Sequence, residues 1–275
     1  MKKYLTLLFS AVFTGTFAQQ HQLTKLWESP HLAVPESALL NEKKDFMYTA
    51  LIDGDASASD GKGGIAKVNT RGKILDSAWV KGLNAPKGMA KWGNKLYVAD
   101  IKELVVINTS NAKIEAKIPV EGSVFLNDVT ADKTGNIFVS DTRTGKVYKI
   151  KNNHVELWLN DVPNANGLKA INDDLYILSG TNVMKADKNK QLTIIAKDLA
   201  KNGDGIEQLN NGDFIVTCWN GLIYYVTPNG SAELLLDTQE QKINTADLAL
   251  DSAKGIIYIP TFNHRSIIAY QLKNK

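Results

Sequence analysis

One short phrase returns six times along this chain, and a fixed internal period constrains a fold more tightly than any other sequence feature. The copies are Glu36-Ser37-Ala38, Lys87-Gly88-Met89, Asn127-Asp128-Val129, Asn166-Gly167-Leu168, Asp204-Gly205-Ile206 and Ala246-Asp247-Leu248. Their successive spacings are 51, 40, 39, 38 and 42 residues. That is the length of a four-stranded propeller blade, roughly 40–50 residues. After each phrase comes an apolar run with Tyr or Phe among aliphatic and β-branched residues: Phe46–Tyr48, Leu96–Val98, Ile137–Val139, Leu175–Ile177, Phe214–Val216 and Ile257–Ile259. A third β-rich run then completes each unit, from Ile65–Val68 in the first to Ile267–Tyr270 in the last. The runs are short, alternate at period two and are divided by Gly, Asn and Asp, and no helical period is sustained. The expectation is an all-β chain, a six-bladed β-propeller with four-stranded blades over residues 19–275. Gly-His and Trp-Asp pairs do not recur at blade spacing, which argues against a WD-type propeller. Two packed sandwiches would leave the sixfold phrase unexplained.

Outer-strand phrases such as Val155–Trp158, Leu192–Ile195 and Ala232–Leu235 precede the next unit, but none follows Tyr270. The spare phrase, Leu23–Trp27, lies at the other end. The N-terminal strand is therefore expected to complete the last blade and leave no open sheet edge.

Ahead of that strand, Lys2 and Lys3 precede a mostly apolar stretch from Tyr4 to Phe17, and Thr16 and Ala18 place small residues three and one positions before Gln19. This reads as a cleaved signal peptide over residues 1–18, too short and too interrupted by Thr and Gly to span a bilayer. The mature chain is expected to be periplasmic or secreted, with no membrane span. Its net charge of +3 falls to about +1 once those two lysines leave. Neither nucleic acid nor an anionic membrane is expected as a partner at that charge. Cys218, alone of its kind, can form no internal disulfide and lies in the apolar run Phe214–Trp219. It reads as a small buried hydrophobe.

Inner strands of a propeller begin around one end of a central channel, so the first residues of the phrases form a ring there. The ring is Glu36, Lys87, Asn127, Asn166, Asp204 and Ala246. Two carboxylates and two carboxamides converging on one point supply hard oxygen donors, suited to calcium, magnesium or manganese. Asn and Asp also suit such corners simply as turn formers; Glu36 has no turn preference to account for it. A serine-hydrolase reading has no support, because no Gly-x-Ser-x-Gly phrase occurs. The histidines His21, His31, His154 and His264 lack the paired spacing of a zinc site.

The phrases Pro35–Ala38, Leu126–Val129, Ala165–Leu168 and Gly203–Ile206, in this order and in these blades, resemble the metal-site phrases of the regucalcin/gluconolactonase (senescence marker protein) family of six-bladed propellers. The resemblance covers the whole chain after residue 18. It implies a divalent cation, calcium first and magnesium, manganese or zinc as alternatives, held by Glu36, Asn166 and Asp204. Asn127 would lie beside the cation and touch substrate or metal-bound water. The implied chemistry is metal-assisted hydrolysis of a small-molecule lactone or ester, with Asp204 handling the proton of the attacking water. A monomer is the expected form. A non-catalytic propeller that binds a ligand or protein around a structural cation is the alternative.

Two positions depart from the family pattern. Phe125 stands two residues before Asn127, where family lactonases often carry arginine. An aromatic wall there would favour alkyl- or aryl-substituted rings over sugar lactones. Lys87 occupies a ring position expected to be small or neutral. Its ammonium would orient a substrate oxygen, pair with Glu36 in competition with metal, or lean outward to water. Residues Asp53–Gly64 lengthen the first unit and, by strand direction, emerge on the ring's face as a mobile lid. Asp53, Asp55 and Ser57 match the start of a calcium loop, but Gly64 stands where the bidentate glutamate belongs, so the segment reads as a solvated loop. Asp100 and Asp141 are expected to cap the turns after their strands, and His264 to be a surface histidine near the mouth.

Overall fold

The computed structural model describes residues 20–274; the segment 1–18, read above as a signal peptide, lies outside the described residues, as do Gln19 and Lys275. Six antiparallel four-stranded sheets follow one another along the chain. From inner to outer strand, blade 1 is Pro35–Leu40, Phe46–Leu51, Gly63–Asn69 and Ile74–Leu83, and blade 2 is Pro86–Trp92, Lys95–Asp100, Glu103–Asn108 and Ile114–Pro119. Blade 3 is Leu126–Ala131, Ile137–Asp141, Lys146–Lys151 and His154–Leu159, and blade 4 is Ala165–Ile171, Asp174–Ser179, Asn182–Ala186 and Leu192–Ala196. Blade 5 is Ile206–Gln208, Phe214–Cys218, Leu222–Val226 and Ala232–Asp237. Blade 6 takes Ala249–Asp251, Ile256–Pro260 and Ile267–Asn274 from the C-terminal end and His21–Ser29 from the N-terminal end.

Burial explains why the second runs read as nearly continuous apolar sequence. A blade is covered on both faces by its neighbours, so strands such as Phe214–Cys218 are buried throughout, whereas outer strands such as His154–Leu159 leave much of their length in solvent. The core is accordingly divided into wedges, one between each pair of adjacent blades. Leu104, Val106 and Ile118 meet Leu126, Val139 and Ile150 between blades 2 and 3. Leu235 and Ile223 meet Ile257 and Ile268 between blades 5 and 6. Cys218 is fully buried in the wedge between blades 4 and 5, as its setting implied, and burial pushes its thiol up to about 12.

The closing strand runs antiparallel to the last one, with His21 opposite Asn274 and Ser29 opposite Ile267. It also grips both neighbouring blades. The Trp27 indole donates to the Thr70 carbonyl of blade 1 at 3.2 Å. His21 stacks on Tyr225 of blade 5 at 3.9 Å and meets the Glu233 carboxylate at 2.7 Å.

Candidate functional site

The ring residues sit where the inner strands bulge. In blade 3, Leu126 pairs with Asp141 and Val129 with Val139, so Asn127 and Asp128 together oppose Ser140 alone. The same two-against-one irregularity places Asn166-Gly167 in blade 4 and Lys87-Gly88 in blade 2. A bulge releases side chains from the alternation of the ladder and turns them to a new direction. In blade 5 the strand begins later, and Asp204 is fixed by its N–H donating to the Thr217 carbonyl at 2.7 Å.

Glu36 and Asp204 are almost wholly buried, at 5% and 4% exposure. Burial raises the Glu36 carboxyl well above the usual range; Asp204 and Asp247 push it further the same way, and Lys87 opposes them. Burial likewise lifts Asp204 to about 7, against a hydrogen bond from Asn166 that holds it down. That bond runs from Asn166 Nδ2 to Asp204 Oδ1 at 2.6 Å. The other oxygens, Glu36 Oε2 and Asp204 Oδ2, are buried without any hydrogen-bond partner. Two orphaned carboxylate oxygens in one ring are costly unless protons or a cation meet them. Together with the Asn166 carboxamide oxygen they fit a hard divalent ion that completes its shell with water. Among the described residues no three His, Cys, Asp or Glu side chains cluster closely enough to hold a metal by themselves, so such an ion would need the carboxamide and solvent.

Asn127 is linked to the strand of Asn166 by a residue that sequence reading passed over. Its Nδ2 donates to Thr142 Oγ1 at 3.1 Å, and Thr142 Oγ1 donates to the Ala165 carbonyl at 2.8 Å, next to Asn166.

Lys87 does not lean outward: it is 2% exposed. Its Nζ donates to the carbonyls of Ala85 at 2.9 Å and Ala56 at 3.0 Å and lies 4.3 Å from the Phe125 ring centroid. Burial depresses its ammonium, while Glu36 and Asp100 favour the charge and Arg143 opposes it. Ala56 belongs to the 53–64 insertion, which is therefore tied down across the mouth. Arg143 Nη2 adds a second tie to Ser57 Oγ at 3.0 Å, and Ala56 packs with Phe262 against Ile52, Ala85 and Ile101. Two of the loop's three acids are spent locally, Asp55 on the Ser57 N–H and Asp60 on Lys62. The lid is thus a pinned strap.

The aromatic wall expected at Phe125 needs correction. Besides Lys87, the Arg143 guanidinium lies over the ring, 4.4 Å from its centroid. A π-face held by two cations is not free for an alkyl or aryl substituent, so the preference for apolar rings loses its basis. Asp100 also differs from expectation, because it accepts from the Asn84 and Ala85 N–H groups of the connector into its own blade. Asp141 does cap its following turn, through Arg143 N–H, and holds the Val124–Phe125 connector as well. His264 is exposed and meets Glu28 at 3.0 Å.

Below the ring lies a second layer, formed by Ser37, Gly88, Asp128, Gly167, Gly205 and Asp247. Asp128 accepts from the Leu168 N–H at 2.6 Å, and Asp247 accepts from the Ser37 hydroxyl at 2.6 Å. A Cβ on Gly88 would run into the Asp128 carboxylate, and one on Gly205 into that of Asp247. Each aspartate thus bridges neighbouring blades across space that glycine leaves. Both line a cavity of about 140 Å³ that also reaches Lys91, Lys169 and Glu207. Their signal was present in the sequence, as the second letters of the third and sixth phrases.

No family model and no curated protein matches the chain. Solved structures do match. A gluconolactonase from Xanthomonas campestris superimposes with a TM-score of 0.68 at 13% identity, over 91% of this chain and 89% of that one. Luciferin-regenerating enzyme gives a TM-score of 0.67 at 13% identity, over 91% and 95%. A streptogramin B lyase gives 0.67 at 11% identity, over 93% and 98%. The chain is a six-bladed β-propeller whose fold is similar to that of the gluconolactonase. At these identities the likeness is one of fold.

Proposed function

We propose that this chain is a metal-dependent hydrolase of the lactonase or esterase type, working at the channel mouth. The observation that carries the reading is the pair of orphaned, buried oxygens, Glu36 Oε2 and Asp204 Oδ2, beside Asn166. The phrase-level resemblance and the fold shared with a gluconolactonase support the same class. A divalent cation bound by Glu36, Asn166 and Asp204, calcium being the first choice, would polarise the carbonyl and stabilise the oxyanion. Asn127, fixed by Thr142, orients the substrate or the attacking water. Asp204 takes the proton from that water as its oxygen bonds to the carbonyl carbon. The ring C–O bond then breaks, and the departing oxygen receives a proton. The strap over the mouth limits access of further water. The substrate is a small molecule, and we extend the proposal to an exported monomer, on the strength of Lys2-Lys3 and the apolar stretch behind them.

A panel of lactones and aryl esters, with and without chelator, tests this directly. Turnover abolished by chelator and by Asp204→Ala is expected. A second reading draws on Lys87, a buried cation that partly offsets Glu36 without metal: a binding propeller that turns over nothing. No hydrolysis of any substrate in the presence of calcium, magnesium, manganese or zinc would favour it.

A further inference from the structure

Between blades 2 and 3 a cavity of about 480 Å³ opens beside the strap, with Ser57, Lys102, Val124 and Arg143 in its walls. Its walls carry two acids and two bases, but only the acids have charged or backbone partners at hand. Glu103 is engaged by Lys117 at 3.0 Å, and Asp100 is occupied by two backbone N–H groups. Arg143 and Lys102, by contrast, form no ion pair among the described residues; Arg143 touches only the Phe125 ring, Ser57 and its own turn through the backbone. The guanidinium carries five N–H donors, and one is used on Ser57. Packing on Phe125 and the bond to Ser57 hold it in one place, which lowers the entropy lost when a ligand is gripped.

Position ties this cavity to the chemistry. Arg143 follows Thr142, the residue that orients Asn127, and Phe125 lies two residues before Asn127. Arg143 and the hydroxyl that orients Asn127 are therefore neighbours at the same end of blade 3. We propose that the substrate is a lactone or cyclic ester bearing a carboxylate, which Arg143 binds through its remaining N–H groups with Lys102 at the flank. The inference rests on the hydrolase reading above for the reacting end only. Hydrolysis adds one water across the ring ester, giving a hydroxy acid with two carboxylates, and the group held by Arg143 takes no part in bond making or breaking.

The test uses a carboxylated γ-lactone and its primary amide, equal in shape and different in charge. The wild type should favour the carboxylate in kcat/KM by about 10- to 100-fold, the range for a charge-assisted pair of hydrogen bonds. Arg143→Ala should remove that preference by raising KM for the carboxylate more than for the amide, and Arg143→Lys should keep part of it. A uniform loss on both substrates, or no discrimination by the wild type, would overturn the proposal. Calorimetry with tetrahydrofuran-2-carboxylate, an ether that cannot be hydrolysed, separates the two ideas. Binding that Arg143→Ala abolishes sustains the anion site even if no lactone is turned over. Lactone turnover with no binding of this ether, and no charge preference, sinks the anion site alone.

Discussion

Asn127 is held by one hydroxyl. Thr142→Val keeps the volume but removes both the acceptor for Asn127 and the donor to Ala165. Leaving those groups unpaired costs about 1–3 kcal/mol. A drop of roughly 5- to 100-fold in lactone turnover is therefore expected in kcat, with KM little changed. Equal kinetics in the variant would show that Asn127 needs no such support. At this scale the sequence was only half legible. Glu36, Asn166 and Asp204 could be found because they open recurring strands, and position in the repeat fixes position in the ring. Thr142, Arg143 and Ser57 follow second strands, where no recurring phrase marks them, and their directions depend on contacts between blades. Phe125 misled for the same reason: its chemistry as an isolated residue is apolar, but Lys87 and Arg143 come to its face from outside its own connector.

Blade closure makes the N-terminal strand a structural necessity. Removing residues 19–28 would uncover the edge of Ile267–Asn274 and delete both the Trp27 tie to blade 1 and the His21 tie to blade 5. The melting temperature should fall sharply. Trp27→Ala alone should cost on the order of 3 kcal/mol, near the low end for deleting a large aromatic because Trp27 is only half-buried. An unchanged melting curve after the deletion would contradict closure by this strand. The strap offers a milder case. Lys87→Met keeps a stem of similar length but cannot bond Ala56, so residues 53–64 should become more open to limited proteolysis than in the wild type. Equal cleavage rates would mean that Arg143 and the packing of Ala56 suffice. Strand order and closure could be read from sequence because blade length and the missing outer strand are counting problems. The bulges could not, since a bulge changes register without changing composition.

Across the whole molecule, the channel gathers Glu36, Asp128, Asp204 and Asp247, all pushed upward chiefly by burial, Asp204 to about 7 and Asp247 to about 8. Unfolded carboxyls titrate near about 4. Between that value and the folded ones the native state binds more protons than the unfolded chain, so stability falls as pH rises through this window and levels off above it. Acids held low by a lysine partner, such as Asp251 with Lys44, act in the opposite sense and at lower pH. The metal-free protein should therefore melt higher at pH 5 than at pH 8, and Asp247→Asn should shrink the difference while keeping an acceptor for Ser37. Identical melting at both pH values would show that the channel carboxyls are not strained.

A divalent ion should relieve the same strain at pH 8, and titrating it is the most direct measurement. Calcium added to the chelator-treated protein should bind at one ion per chain by calorimetry. The accompanying rise in melting temperature should correspond to about 2.7 kcal/mol at a hundredfold excess over Kd, and Asp204→Asn should lose both signals. A protein that takes up no calcium, magnesium, manganese or zinc, or an Asp204→Asn variant that responds as the wild type does, would mean that protons and Lys87 alone satisfy the ring.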